Sequence, residues 1–196
     1  ARNLQLTAEH PVKQTNVLLR SGASEDQVDV NIKVADDKPW RAFFTLDNSG
    51  TSDTGQFRSG VGLQHSNLWN RDHALTATYI TSPTHIDKVT ILGAGYRIPF
   101  YELNSTLELI AGYSDVSSGT VQGLFNVSGS GTIGAIRWNY ILPKWGETEQ
   151  KVAFGLDYRA YDNNIVDPAT GEPGINPATE LPDFPDTTIH PASVTY

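Results

Sequence analysis

An antiparallel, membrane-spanning β-barrel is the fold class this sequence predicts, and three observations predict it. Run after run alternates apolar side chains with glycine, hydroxyl or charged residues, the period-two signature of strands. The connections between those runs alternate short and long. Large aromatics gather at the short connections. Composition agrees: the 196 residues are 38% hydrophobic, which is low for a packed core, yet 10% aromatic with 17 glycines. Such a barrel turns only every other residue to hydrocarbon, so low hydrophobicity is compatible with spanning a membrane. No run of about 18 apolar residues occurs, so no transmembrane helix is expected.

Taken in order, residues 1–39 differ from the rest. Residues 1–10 could be the end of a helix, broken by Pro11. Val12–Arg20 and Gln27–Asp36 read as strands, with Ser21 to Ser24 as the turn region between them. Val28, Val30, Ile32 and Val34 alternate with Asp29, Asn31 and Lys33, as in a half-buried strand. A helix end and two strands cannot bury a core alone, so this reads as the tail of a small α+β domain. Asp36 to Pro39 is a polar joint.

The hairpin after Trp40 organises the remainder. Ala42, Phe44 and Leu46 fall on one side of its first strand, Thr45 and Asp47 on the other. A loop rich in Gly, Ser and Asp runs from Asn48 to Thr54. Phe57, Val61 and Leu63 then alternate with Arg58, Gly60, Gly62 and Gln64. The apolar side reads as turned to lipid, the other to a wet lumen. The unit repeats. His73–Ile80, Val89–Ile98, Thr106–Ser114, Thr132–Leu142 and Lys151–Tyr161 are further strands, and an eighth begins near Ala192. Most approach the ~9–11 residues a tilted membrane strand needs. The lumen side would carry Asp47, Arg58, Arg97, Glu108, Arg137, Asp157 and Arg159. Arginine or lysine facing lipid near the midplane would cost ~2–4 kcal/mol, which favours that side. A polar chain could slide over such a wall; ion pairing that stiffens the barrel is the plainer role for most of these charges.

Asn67–Asp72, Phe100–Ser105 and Pro143–Gln150 are short connections; Asp115–Ser130 and Asp162–Pro191 are long. Outer-membrane barrels have short periplasmic turns and longer outer loops. By parity, residues 1–39 share the side of the short turns. Trp69, Phe100, Tyr101 and Trp145 sit there, as an interfacial girdle would. Alternating strands also build soluble sandwiches and lipocalin-like barrels; the girdle and the loop asymmetry favour the membrane.

The net charge of −8 excludes the basic footprint of a nucleic-acid binder. Cysteine and methionine are absent, and no signal peptide precedes the first strand, so the chain reads as a segment of a longer protein. His10, His65, His73, His85 and His190 lack metal-ligand spacing, and every serine is explained by a turn or a polar face. No metal, cofactor or catalytic residue is expected. The acidic, proline-rich stretch from Asp167 to Thr188 reads as an exposed loop.

The run Leu46 to Arg58, with Asn48, Gly50, Thr54, Gly55 and Arg58 at fixed spacing, resembles the first barrel hairpin of the ShlB/FhaC/HecB family. These are the transporters of two-partner secretion, in the Omp85 superfamily. Asn67 to Asp72, Tyr79 to Pro83 and Tyr96 to Tyr101 also fit, and residues 10–40 are similar to the end of the family's second POTRA domain. The resemblance implies a division into a POTRA part over 1–39 and the first part of an outer-membrane barrel over 40–196. About eight strands of an expected sixteen would be present. It also implies secretion of a partner exoprotein, of haemolysin or adhesin type, from periplasm to cell surface. The implied partners are that exoprotein and outer-membrane lipid, without nucleotide or metal. An Omp85-type assembly factor and a soluble β-sandwich binding module are the alternatives. In the implied POTRA sheet, Lys13, Gln14, Thr15 and Asn16 occupy an edge strand able to accept an extended chain by β-augmentation, or simply a solvated, polar edge.

Overall fold

The computed structural model describes residues 13–21, 28–36, 38–52, 54–116, 119–121, 125–127, 130–146, 148–162, 175–176, 181–182 and 186–196. Their regular structure is antiparallel strand, apart from one 3-10 turn over Ile86–Lys88. The possible helix over residues 1–10 lies outside the described residues.

The first two strands, β1 (Lys13–Ser21) and β2 (Val28–Asp36), pair over nine positions, Lys13 opposite Asp36 through Ser21 opposite Val28. Neither pairs with any other described strand.

The main sheet is an up-and-down meander. It contains β3 (Trp40–Asp47), β4 (Arg58–Leu68), β5 (His73–Thr81), β6 (Thr90–Phe100) and β7 (Ser105–Asp115). A small hairpin of β8 (Gly119–Val121) and β9 (Phe125–Val127) then leads to β10 (Ser130–Ile141) and β11 (Lys151–Asp162). β12 (Ile175–Asn176) and β13 (Leu181–Pro182) pair only with each other. The last position is filled by β14 (Thr187–Ile189) and β15 (Ala192–Thr195), both paired with β11. Pro191 interrupts them, but its carbonyl still accepts the Asp157 amide at 2.9 Å, so the ladder continues across the break. The sheet thus has eight strand positions.

Three differences from the sequence expectation have plain causes. The final strand starts at Thr187, not Ala192, because a proline hides its first half. The long connection after Asp115 carries the β8–β9 hairpin, whose three-residue strands are too short to show alternation. Phe57 falls just outside β4, in the loop.

The register fixes two faces. One ladder row reads Phe44, Val61, Tyr79, Leu92, Tyr113, Thr132 and Ala160; a neighbouring row on the same face reads Ala42, Leu63, Ala77, Ala94, Ala111, Gly134 and Tyr158. This face is open: Phe44 is 66% exposed and Leu156 63%. Its row of small residues leaves a shallow trough of about 570 Å³, walled by Leu63, Tyr79, Leu92 and Tyr113. The opposite face holds Gly60, Gly62, Thr78, Ile91, Gly93, Gly112, Ser114, Ile133 and Ala135, all buried. Among the described residues no second layer packs on it. Burial on one face and exposure on the other fit a sheet curved with its glycine-rich side concave. A soluble sandwich would do the reverse, since it must bury its large apolar face.

Candidate functional site

The concave wall is the candidate site. Asp47, Arg58, Arg97, Glu108, Arg137, Asp157 and Arg159 all fall on it by register. Four adjacent strands bring five of them into a belt. Arg97 on β6 stands opposite Glu108 on β7, and Glu108 opposite Arg137 on β10. The Arg97 Nε lies 3.7 Å from the Glu108 Oε1. Arg137 stands opposite Gly155 on β11 and passes over it to reach the Asp157 carboxylate. A Cβ at Gly155 would sit 2.8 Å from the Arg137 Nη1, so this glycine is what leaves the guanidinium its path. The other Asp157 oxygen takes a 2.7 Å bond from the Arg159 Nη2. The Asp157 side chain is only 6% exposed, and two guanidinium partners offset the cost of burying its charge. Thr78 and Ser114 bury hydroxyls on this face that meet no partner among the described residues. Burying such a hydroxyl without a partner costs about 1–3 kcal/mol.

The first hairpin loop is a built structure rather than a slack connection. Asp47 faces Arg58 at its base, and the Asp47 carboxylate accepts the Ser49 amide at 2.9 Å. Arg58 is 8% exposed and turns up into the loop. Its Nη1 donates to the Gly55 and Thr54 carbonyls at 2.7 and 3.2 Å, and its Nη2 to the Thr54 hydroxyl at 2.6 Å. The Gly50 amide donates to the Gln56 carbonyl at 3.0 Å, closing the loop on itself. Gly55 takes φ +85° and lies against Ser82, Thr84 and His85 of the next loop. Gly50, Thr54, Gly55 and Arg58 thus form one cap that docks on its neighbour. Behind it, Val89, Ile91 and Val116 pack with Ile80 into a dry cluster at the loop end of the wall. Alternation alone gave no sign of this cluster: Val116 lies beyond the strand, Val89, read as a strand's first residue, falls just before β6, and Ile80 and Ile91 are apolar residues on the otherwise small and polar face. Phe43 was another surprise: it faces the concave side, where its ring covers Gly62.

At the opposite rim, the turn after β4 holds Trp69, Asn70 and Asp72 at positive φ, a costly state for a tryptophan. Asn67 organises it, accepting the Asp72 amide at 3.1 Å and donating to the Asn70 Oδ1 at 3.3 Å. The Tyr101 hydroxyl donates to the Asp72 Oδ2 at 2.7 Å, tying this turn to the next. Burial, then the Asp72 carboxylate, push the Tyr101 phenol well above its ordinary pKa. Trp69 and Trp145 stand out at this rim, and Phe100 stacks on Trp138 with ring centres 5.4 Å apart.

Lys13, Gln14, Thr15 and Asn16 lie on β1, paired with Asp36, Ala35, Val34 and Lys33 of β2; the other edge of β1 meets no described strand. No group of three or more metal-ligating side chains occurs among the described residues.

Comparison with known proteins adds three findings. Residues 26–169 match the family described as haemolysin secretion/activation protein ShlB/FhaC/HecB. No curated protein matches the chain. Among solved structures, BamA from Haemophilus ducreyi lacking POTRA domains 1–3 is similar at 14% identity and a TM-score of 0.43. That likeness covers 98% of this chain and 35% of that BamA chain, so the chain spans about a third of the length of the chain it matches.

Proposed function

Since the chain belongs to the haemolysin secretion/activation family ShlB/FhaC/HecB, we propose that it is part of an outer-membrane translocator that secretes a partner exoprotein from periplasm to cell surface. The observation that carries this reading is the family match over residues 26–169, most of the chain. The two-faced sheet agrees with it. Large apolar side chains on the convex face suit hydrocarbon, and a charged, hydroxyl-lined concave face suits a wet conduit. In this reading β1 and β2 belong to a periplasmic POTRA domain, and the edge of β1 that pairs with no described strand takes up the exoprotein by strand addition. The short turns then face the periplasm and the long loops the outside. The protein works as a conduit, without cofactor, and not as an enzyme.

The test uses the full-length protein in lipid vesicles. Conductance together with binding of the secretion domain of a partner exoprotein is the expected result. The absence of both conductance and binding would sink the proposal. Loss of other outer-membrane barrels from cells lacking the protein, with exoprotein secretion intact, would favour an assembly factor instead.

A further inference from the structure

The first hairpin loop does not stand up from its strands; it folds back across their concave side. Register puts Arg58 on the concave face, opposite Asp47. From there its Nη1 reaches the Thr54 and Gly55 carbonyls at 3.2 and 2.7 Å, and its Nη2 the Thr54 hydroxyl at 2.6 Å. A side chain on that face meets those groups only if the loop bends over the same face. Gly55 shows how far the bend goes. A Cβ on it would fall 2.3 Å from the Ser82 Oγ and 2.5 Å from the Thr84 Oγ1, just past the end of β5. The loop has therefore crossed the end of β4 and come to rest on the next strand's end.

It is also closed on itself. Thr51 and Gly55 pair as a short antiparallel bridge, and the Gly50 amide bonds to the Gln56 carbonyl at 3.0 Å. The Thr51 and Thr54 hydroxyls lie 2.9 Å apart. The guanidinium that ties this unit down does so through charge-assisted bonds, which are stronger than neutral ones. The wall at this end is correspondingly covered. Ser82, Val89 and Ser114 have no exposed surface, whereas the Arg97 and Glu108 side chains in the middle of the wall stay partly open. β8, in the connection after β7, lies against β6 at the same end.

We infer that the first hairpin loop is a fixed cap that narrows the mouth of the conduit at the long-loop end, and that Arg58 is the positioning residue that holds it inward. This rests on the transport reading above and adds what limits passage at that mouth. From Asn48 to Gln56 the loop contains no large apolar side chain. It offers a passing polypeptide small hydroxyls and backbone, which narrow the opening without gripping an apolar segment. Pore width and lining groups are what set which solutes a channel admits.

The experiment is single-channel recording of the full-length protein in planar bilayers, with polyethylene glycols of graded size added at the long-loop side. A polymer lowers the current only where it enters the mouth. The unaltered protein should exclude polymers that Arg58→Ala and Gly50→Ala admit, and both variants should pass more current. Thr54→Val removes only the hydroxyl that the Arg58 Nη2 holds, and it should move the size limit the same way by less. That variant keeps the inference testable if the other two fail to assemble. Gly134→Ala, on the convex face, should leave the limit where it is. A size limit unmoved in all three cap variants, or moved equally by Gly134→Ala, overturns the inference and leaves the conduit standing. Absence of any current overturns the conduit and the inference with it.

Discussion

Arg58 shows how much one side chain can hold. Its guanidinium donates to three carbonyls and one hydroxyl of the loop above it, at a position 8% exposed. Hydrogen bonds from a charged donor contribute ~1.5–3 kcal/mol each, and a buried carbonyl left without one costs comparably. Arg58→Ala should therefore free residues 48–57 while the strands stay paired; Arg58→Lys should rescue little, because an ammonium cannot span the same fork. Amide exchange across the loop measures both. Protection unchanged in the alanine variant would refute the role. Gly50 makes a sharper case. A Cβ there would lie 1.9 Å from the Gly55 carbonyl oxygen, a backbone atom that cannot swing aside. Gly50→Ala should unseat the cap as Arg58→Ala does. Gly134→Ala should be silent, since its nearest neighbour would be 4.0 Å away. The spacing of Asn48, Gly50, Thr54, Gly55 and Arg58 could be read from the sequence as a motif. What the motif does could not, because the carbonyls that Arg58 satisfies carry no side-chain signature.

A strand's pleat decides which of two neighbouring residues meets which solvent, so the substitutions that test it sit side by side. On β5, Ala77 lies on the convex face between Leu63 and Ala94, and Thr76 on the concave face between Gln64 and Gly95. Ala77→Arg should cost about 2–4 kcal/mol in a bilayer, and Thr76→Arg much less. Urea titration in lipid vesicles compares them, and equal losses would count against the two-solvent arrangement. Turns hold their own chemistry. Tyr101 stays protonated in the folded turn well past the point where an exposed tyrosine ionises. Its contribution is complete below the ordinary value near pH 10 and is lost as pH climbs through the raised one. An alkaline loss of stability should follow, visible by tryptophan fluorescence. Tyr101→Phe should cost about 1 kcal/mol at neutral pH and abolish that step. The long strands were legible because period two survives over eleven or twelve residues, as in β10 and β11. β8, β9 and β14 were not, since three residues cannot display a period and Pro191 cuts the last strand.

At the scale of the whole sheet, curvature turns a local alternation into an inside and an outside. No residue encodes that curvature. It follows from small residues on one face, the row Gly62, Thr78, Gly93 and Gly112, set against bulky ones such as Leu92 and Tyr113 on the other. The strand pattern therefore told two faces apart, but only burial in the assembled sheet shows which one is covered. It also shows Ile80, Ile91 and Val116 meeting at one end of the wall, a dry patch in an otherwise polar surface. These 196 residues contain no cysteine, so single cysteines placed among them report their own positions once any cysteine elsewhere in the full-length protein is replaced. On β11, Phe154, Leu156 and Tyr158 face outward, and Gly155, Asp157 and Arg159 inward. With the full-length protein in vesicles, a membrane-impermeant maleimide should label Ala153→Cys and Arg159→Cys through the water of the lumen. It should leave Phe154→Cys, Leu156→Cys and Tyr158→Cys nearly unlabelled until detergent replaces the bilayer. Brominated lipid should in turn quench tryptophan placed at Leu156 and spare tryptophan placed at Ala153. Uniform labelling along β11 would mean that one solvent bathes both faces. The concave side would then be the surface of something else, and the charged belt would have no conduit to line.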